Sequence, residues 1–374
     1  MDYLSLLGLL IMVLAACDAA ITVLHSDAEG WTAKCVRQAV WRTAVLVGGL
    51  VRGAQRIVLG LAGPLIVAGS FAVWLVLLTL GFTLAVWPML GTEFDIPSDA
   101  ADGDLGPMDA FYFAGGTVTV LGYGDLTPLS TGARLVSLFG AATGFLLFTG
   151  MATYAIEIIN GISVRNRFTL TVHDDTRDGD GLTMYTEHLA LNGVTDTRLH
   201  CRTWASGLRE LDEMVHRYPL VAFTYRSHRH EYDPEPALRH AAEAAVAALV
   251  ASRRDPALRT SAGSLRLALV RLQQTIADTY LGGDVVRRLD DPRPTADDHR
   301  AVARVERLLQ ERLDGADGNG AVYGRTSETP HPPPSEDDRR EAAETVCRSR
   351  TFLDALHAWA RSGTTPHAWE RADS

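Results

Sequence analysis

In the run Thr117-Val118-Thr119-Val120-Leu121-Gly122-Tyr123-Gly124-Asp125, two glycines flank a tyrosine and an aspartate follows. Glycine adopts φ > 0 at little cost, so such a backbone can turn successive carbonyls to one side. Stacked carbonyl oxygens can replace the water shell of a dehydrated cation. The run lies between two uncharged apolar segments, Pro64 to Trp87 and Leu135 to Ile156. At membrane depth, irregular backbone is tolerated only where protein buries it or where it lines a water-filled cavity. Tyr123 is expected to point outward and hold the loop open.

The elements that must position this loop follow from the flanking sequence. Pro64 suits a first helical position, where its missing N–H costs nothing. A helix from there to Trp87 would be about 36 Å long, enough to cross a bilayer with some tilt. The loop from Gly91 to Gly106 carries Glu93, Asp95, Asp99, Asp102 and Asp104 without a basic residue. Pro107 to Thr119 reads as a short helix with Asp109 in its first turn, favourable for the helix dipole. Phe111, Tyr112 and Phe113 supply bulk for packing behind the loop. Gly140, Gly144 and Gly150 let the second long helix pack closely or bend.

The Gly-Tyr-Gly-Asp run after Thr-x-Thr resembles the signature loop of the potassium-channel pore family. The match extends without a gap through Arg134-Leu135-Val136 to Gly144 and covers about residues 64–160. The resemblance implies a selectivity filter formed by Thr119, Val120, Leu121, Gly122, Tyr123, Gly124 and Asp125. K+ would be held by the backbone of Val120, Leu121, Gly122 and Tyr123, with Gly144 as the hinge of the inner helix. It also implies a homotetramer, because one loop cannot enclose an ion and the chain has a single such loop. Two positions depart from the family. Val120 stands where Thr is usual and Leu121 where Val is usual. Val120 has no hydroxyl, so the layer of four oxygens at the innermost ion site is lost.

Outside that segment, the reading rests on composition. The chain has 374 residues, 47% of them hydrophobic, and nearly all the long apolar runs precede residue 160. The formal charge of −10 argues against nucleic acid as a partner. Cys17, Cys35, Cys201 and Cys347 have no CxxC spacing, which argues against a zinc site or a disulfide framework and suits a reducing cytoplasm. Leu4 to Leu24 is long enough to span. Leu14-Ala15-Ala16-Cys17 looks like a lipoprotein cleavage box, but the basic residues that follow oppose it. Asp18 is expected near enough to one end to reach headgroups. Residues 26–63 carry Lys34, Arg37, Arg42, Arg52 and Arg56 against Asp27 and Glu29, which puts them in the cytoplasm. Residues 31 to 62 read as an interfacial helix or a basic linker, with Trp31 and Trp41 at headgroup level.

Four regions result: an N-terminal transmembrane helix (1–25), a cytoplasmic or interfacial basic segment (26–63), the pore module (64–160), and a mostly helical cytoplasmic domain (161–374). The last has a flexible linker near 314–335. The expected fold is an all-α membrane protein of the cell membrane, with its N-terminus outside and its C-terminus in the cytoplasm. Its partners are the lipid bilayer, its own copies and a cytoplasmic ligand or protein that the sequence does not name. In the last region Phe168 to Val172 alternates as a weak strand, Pro236 to Ser252 reads as an Ala-rich helix, and Leu265, Leu269, Leu272, Ile276 and Tyr280 keep helical spacing before Gly282-Gly283. Thr295-x-x-Asp298 and Ser335-x-x-Asp338 look like capping boxes. Asp174 to Asp180 lacks the Glu that a calcium loop needs at its twelfth position, and reads as an acidic turn. His228-Arg229-His230-Glu231 reads as a surface loop rather than a metal site. No G-x-G-x-x-G motif follows a strand and no catalytic arrangement stands out, so no enzyme and no cofactor are expected beyond the permeant ion. Alternatives are a non-conducting membrane sensor or scaffold, a weakly selective cation channel, and a membrane-anchored enzyme whose chemistry lies after residue 165.

Overall fold

The computed structural model describes residues 3–25, 29–50, 55–95, 106–177, 179–227, 229–317 and 336–360. The chain divides into two units, Met1–Ile159 and Asn160–Ser374, and the boundary falls inside one helix. Both units are helical, apart from one short pair of strands among the described residues.

The first unit begins with α1 (Tyr3–Leu24), α2 (Trp31–Leu50) and α3 (Gln55–Val86). Helix α3 starts well before Pro64, which therefore lies in its interior rather than at its first turn. An interior proline costs roughly 3 kcal/mol. The compensating contacts lie on the preceding turns, where Leu59 and Ala62 are buried against Ala44 of α2, with Trp41 and Val45 alongside. Burying a side chain the size of leucine contributes about 1.5–3 kcal/mol. Of residues 31–62, those described form a helix (31–50) and the first turns of the next (55–62). Trp41 packs on this small cluster, and Trp31 is exposed. Helices α1 and α3 approach so closely that a Cβ on Gly8 would stand 2.4 Å from the Gly81 carbonyl oxygen.

Asp18 does not reach toward headgroups. Its Oδ1 accepts the Thr32 backbone N–H at 3.3 Å, and its Oδ2 accepts the Thr32 hydroxyl and, at 2.8 Å, the Trp74 indole N–H. The indole also lies 2.7 Å from Thr32 Oγ1. A polar group inside a span is costly unless it is paired, and this one joins α1, α2 and α3 at a single point.

Beyond α3 a 3₁₀ turn (Trp87–Met89) leads into α4 (Leu90–Glu93). Strand β1 (Phe94–Asp95) pairs antiparallel with β2 (Thr127–Pro128), Phe94 opposite Pro128. Of the expected acidic loop, Asp99, Asp102 and Asp104 lie outside the described residues, while Glu93 accepts from the Ser130 hydroxyl. Helix α5 (Pro107–Val118) precedes the glycine loop, and α6 (Thr131–Thr176) follows it. Three helical stretches among the described residues are long and apolar enough to cross a membrane: Tyr3–Leu24, Ile57–Glu93 and Thr131–Thr176.

The second unit contains the end of α6, then α7 (Gly181–Arg217), α8 (Pro234–Ser252), α9 (Arg259–Tyr280), α10 (Gly283–Asp290), α11 (Ala296–Asp317) and α12 (Glu336–Ala360). The weak strand expected over 168–172 is helix instead. Phe168 and Val172 are both buried, and their spacing of four places them on one helical face. The acidic turn expected at 174–180 is also partly helix. Asp174 and Asp175 lie in the last turn of α6, Arg177 takes φ 51°, and Asp180 caps α7 by accepting from Thr183 N at 2.7 Å. Asp178, His228 and Ser335 lie outside the described residues. So does the expected linker beyond Asp317, and α11 already occupies its first residues.

Helix α8 lies at the centre of this unit, packed by α7, α9, α11 and α12, and from Ala237 to Ser252 every residue is buried. Apart from Arg239, His240, Glu243 and Ser252 these residues are apolar on all sides, as suits a helix inside a core. Its one buried acid is satisfied. Glu243 pairs with Arg239 at 3.1 Å, has His240 Nδ1 at 3.1 Å, and accepts from Gly181 N at 3.0 Å. Thr295 and Asp298 do form the expected cap of α11, with Thr295 N donating to Asp298 Oδ2 at 2.7 Å. Helix α7 breaks at Gly193, whose φ of 76° and ψ of −177° only glycine adopts readily. Its two halves fold back on each other there.

Candidate functional site

The glycine loop is built from the end of α5 onward. Asp109 accepts Gly106 N at 2.8 Å and fixes the start of that helix. Ala110, Ala114 and Val118, on one face, are fully buried. Phe113 meets Phe94 edge-on, with ring centroids 5.0 Å apart, and lies 6.0 Å from Phe82 of α3. At the other end Thr119 closes the helix, its hydroxyl donating to Gly115 O at 2.6 Å. Val120 N then donates to Thr117 O at 3.0 Å and Leu121 N to Gly116 O at 2.8 Å. The helix end thereby anchors the first loop residues through their N–H groups, and this leaves their carbonyls free to face elsewhere.

Left-handed backbone recurs at every second residue: Val120 at φ 61°, Gly122 at 59° and Gly124 at 85°. Residues between them do not share it. Alternating the backbone hand aligns peptide groups that an ordinary strand would point to opposite faces. Two of the three positions are glycine, as the geometry favours. The third is valine, β-branched, for which a left-handed φ is an outlier held by its surroundings. From Val120 through Asp125 the loop is exposed in the single chain.

Two contacts not anticipated from the sequence brace it. Tyr112 Oη donates to Asp125 Oδ2 at 2.7 Å, and the Tyr112 and Tyr123 rings stack 5.8 Å apart at an interplanar angle of 10°. Tyr112 stands thirteen residues before Asp125, with no periodic signal linking them. Gly144 also has a role that its sequence position did not reveal. A Cβ there would lie 2.0 Å from the Val118 carbonyl oxygen, so α6 touches the end of α5 backbone to backbone. Gly140 would similarly meet the Phe82 ring at 2.8 Å, whereas Gly150 has room, with Val23 at 3.6 Å.

A short helix aimed at a loop of alternating backbone hand, between two membrane-length helices, is the arrangement on which the comparisons bear. Residues 70–160 match the family model of ion channels. The chain is similar to the uncharacterized membrane protein YdjJ of Bacillus subtilis strain 168, with 25% identity over 231 residues. That alignment covers 60% of this chain and 63% of YdjJ. It is also similar to two-pore potassium channel 2 of Arabidopsis thaliana, with 40% identity over 55 residues, which cover 14% of this chain and 12% of the plant protein. The chain therefore spans less than two thirds of either relative's length. No solved structure matches it. Residues 70–160 are thus similar to ion channels, in a chain whose described residues include three helices long and apolar enough to cross a membrane.

Proposed function

We propose that the protein conducts potassium ions through a pore that four copies form around the Thr119–Asp125 loop. The observation that carries this reading is the left-handed backbone at Val120, Gly122 and Gly124 in an exposed loop. An exposed irregular loop at bilayer depth needs either protein or a water-filled cavity beside it, and neighbouring copies would supply both. Carbonyls of Val120, Leu121, Gly122 and Tyr123 then replace the ion's hydration shell. The partial negative charge at the end of α5 favours a cation there. The partial likeness to a two-pore potassium channel supports potassium as the ion. In the membrane of the cell the N-terminus lies outside, and residues 26–63 and the second unit lie in the cytoplasm, following the basic residues between α1 and α3.

The test is flux from liposomes that hold purified protein, with potassium compared against sodium. Potassium flux well above sodium flux, from protein that runs as a tetramer by light scattering, is the expected result. A monodisperse monomer or dimer, or the absence of flux for both ions, overturns it. Equal flux for the two ions keeps a cation channel but removes the selectivity.

A further inference from the structure

On an unbroken helix His188 and His200 would stand about 18 Å apart. In α7 the break at Gly193 brings them together, with ring centroids 4.6 Å apart and planes tilted by 31°. Each imidazole faces a carboxylate. His188 Nδ1 is 3.6 Å from Asp196 Oδ2, and His200 Nε2 is 3.5 Å from Asp175 Oδ2. Asp175 Oδ2 already accepts the Trp204 indole N–H at 2.8 Å, and the Asn192 amide lies 3.1 Å from His188 Nδ1. The indole of Trp204 flanks the other side of His200 at 5.2 Å. From α11, Arg312 meets Glu187, the neighbour of His188, at 3.8 Å. His200 Nε2 is enclosed and makes no hydrogen bond.

That geometry suits two neutral rings. A proton on His200 would gain the attraction of Asp175 but lose the solvation that its enclosed Nε2 has in the unfolded chain. It would also place positive charge against the His188 ring, and two charged rings at this distance repel. We propose that the His188–His200 contact is a proton-binding joint, which holds the two halves of α7 folded together when neutral and loosens them when charged. Burial holds the His200 imidazole below the usual histidine range, opposed by Asp175, reinforced by His188 and opposed again by Asp196. The sign follows. A folded-state value below the unfolded one means that stability is complete above the ordinary histidine value and falls as pH drops through it, in the window below about pH 6.5. If the protein is the channel proposed above, cytoplasmic acidification is then one stimulus to which its second unit responds.

Hydrogen–deuterium exchange of the full-length protein in detergent, corrected for intrinsic rates and followed by mass spectrometry at pH 7.5 and 5.5, tests the joint. The expected result is a loss of protection over residues 186–202 at the lower pH in the unaltered protein, and no such loss in His200→Gln. Should that variant misassemble, His188→Gln removes the ring–ring repulsion while His200 stays buried, and is expected to show a smaller but not abolished loss of protection. His216→Gln, on the same helix but outside the cluster, should keep the full response. Equal protection at both pH values in the unaltered protein, or an undiminished response in the assembled variants, overturns the proposal. Liposome flux at the two pH values is read separately. Absence of flux throughout counts against the channel reading, and the exchange result still decides the joint.

Discussion

Trp74 and Asp18, on different helices, meet with the indole N–H 2.8 Å from the carboxyl Oδ2, and Thr32 completes the contact from a third helix. Trp74 is 1% exposed. The first consequence concerns stability. Removing Asp18 takes the acceptor from the Thr32 N–H and hydroxyl, while the indole keeps Thr32 Oγ1, and an unsatisfied buried polar group costs about 1–3 kcal/mol. Asp18→Ala should therefore lower thermal stability in detergent by an amount of that order, and Asp18→Asn, which keeps an acceptor, by less. If Asp18→Ala melts with the unaltered protein, the three-helix contact contributes nothing.

Gly144 permits the contact of α6 with Val118, so its expected effect is steric before it is dynamic. Gly144→Ala must push the end of α5 away and with it the loop that α5 anchors. Selective flux should be lost, while Gly150→Ala, with its Cβ 3.6 Å from Val23, should retain it. Normal flux and assembly in Gly144→Ala would show that the two backbones are farther apart than described.

Gly124, at φ 85°, has open space around its Cα, so a methyl group there meets backbone strain and no clash. A left-handed L-residue costs roughly 1–2 kcal/mol. Gly124→Ala is expected to leave assembly intact and abolish potassium-selective flux. Preserved selectivity in an assembled Gly124→Ala tetramer would remove this loop from the ion path.

Val120 provides the opposite experiment. Val120→Thr keeps the β-branched shape and adds a hydroxyl at the inner end of the proposed filter. Potassium preference over sodium and block by internal barium should both rise, since polar ligands worth roughly 1 kcal/mol each would be restored. Recordings under mixed-ion gradients decide this, and identical reversal potential and block in both forms would mean that the register of the loop is wrong.

Burial pushes the Cys201 thiol up to about 12, and it raises the Cys347 thiol as well. Thiolate is the reactive form. Maleimide at pH 7.5 should label the exposed Cys35 and spare Cys201 and Cys347 until the protein is denatured. Early adducts on Cys201, located by mass spectrometry, would show that the second unit opens under native conditions.

The glycine loop is legible in the sequence because its residue types are dictated by backbone conformation, which is a local property. Helices α1, α8 and α9 are legible for a similar reason, since apolar periodicity is also local. What the sequence hides depends on partners distant along the chain. Asp18 looks like an interfacial residue because nothing near it announces Trp74. Pro64 looks like a helix start because the contacts of Leu59 and Ala62 with α2 cannot be read from α3 alone. Over 168–172 a weak alternation competes with the four-residue spacing of Phe168 and Val172, and burial on one helical face decides for the helix. The break in α7 does carry a local signal, since Asn192-Gly193 is a turn-forming pair. Thr119 to Asp125 can be named individually, but the support that Tyr112 gives Asp125 and Tyr123 cannot.

Helix α8 is enclosed on every side, and one of the helices that covers it, α12, does not begin until Glu336. During synthesis at about 5–20 residues per second, roughly 5–20 s pass between the emergence of Ser252 and that of the end of α12. Through that interval the part of the alanine-rich α8 surface that α12 covers stands open beside a ribosome. The second unit is thus completed by α12, and a nascent chain halted before that point would be a substrate for chaperones and proteases rather than a smaller folded protein.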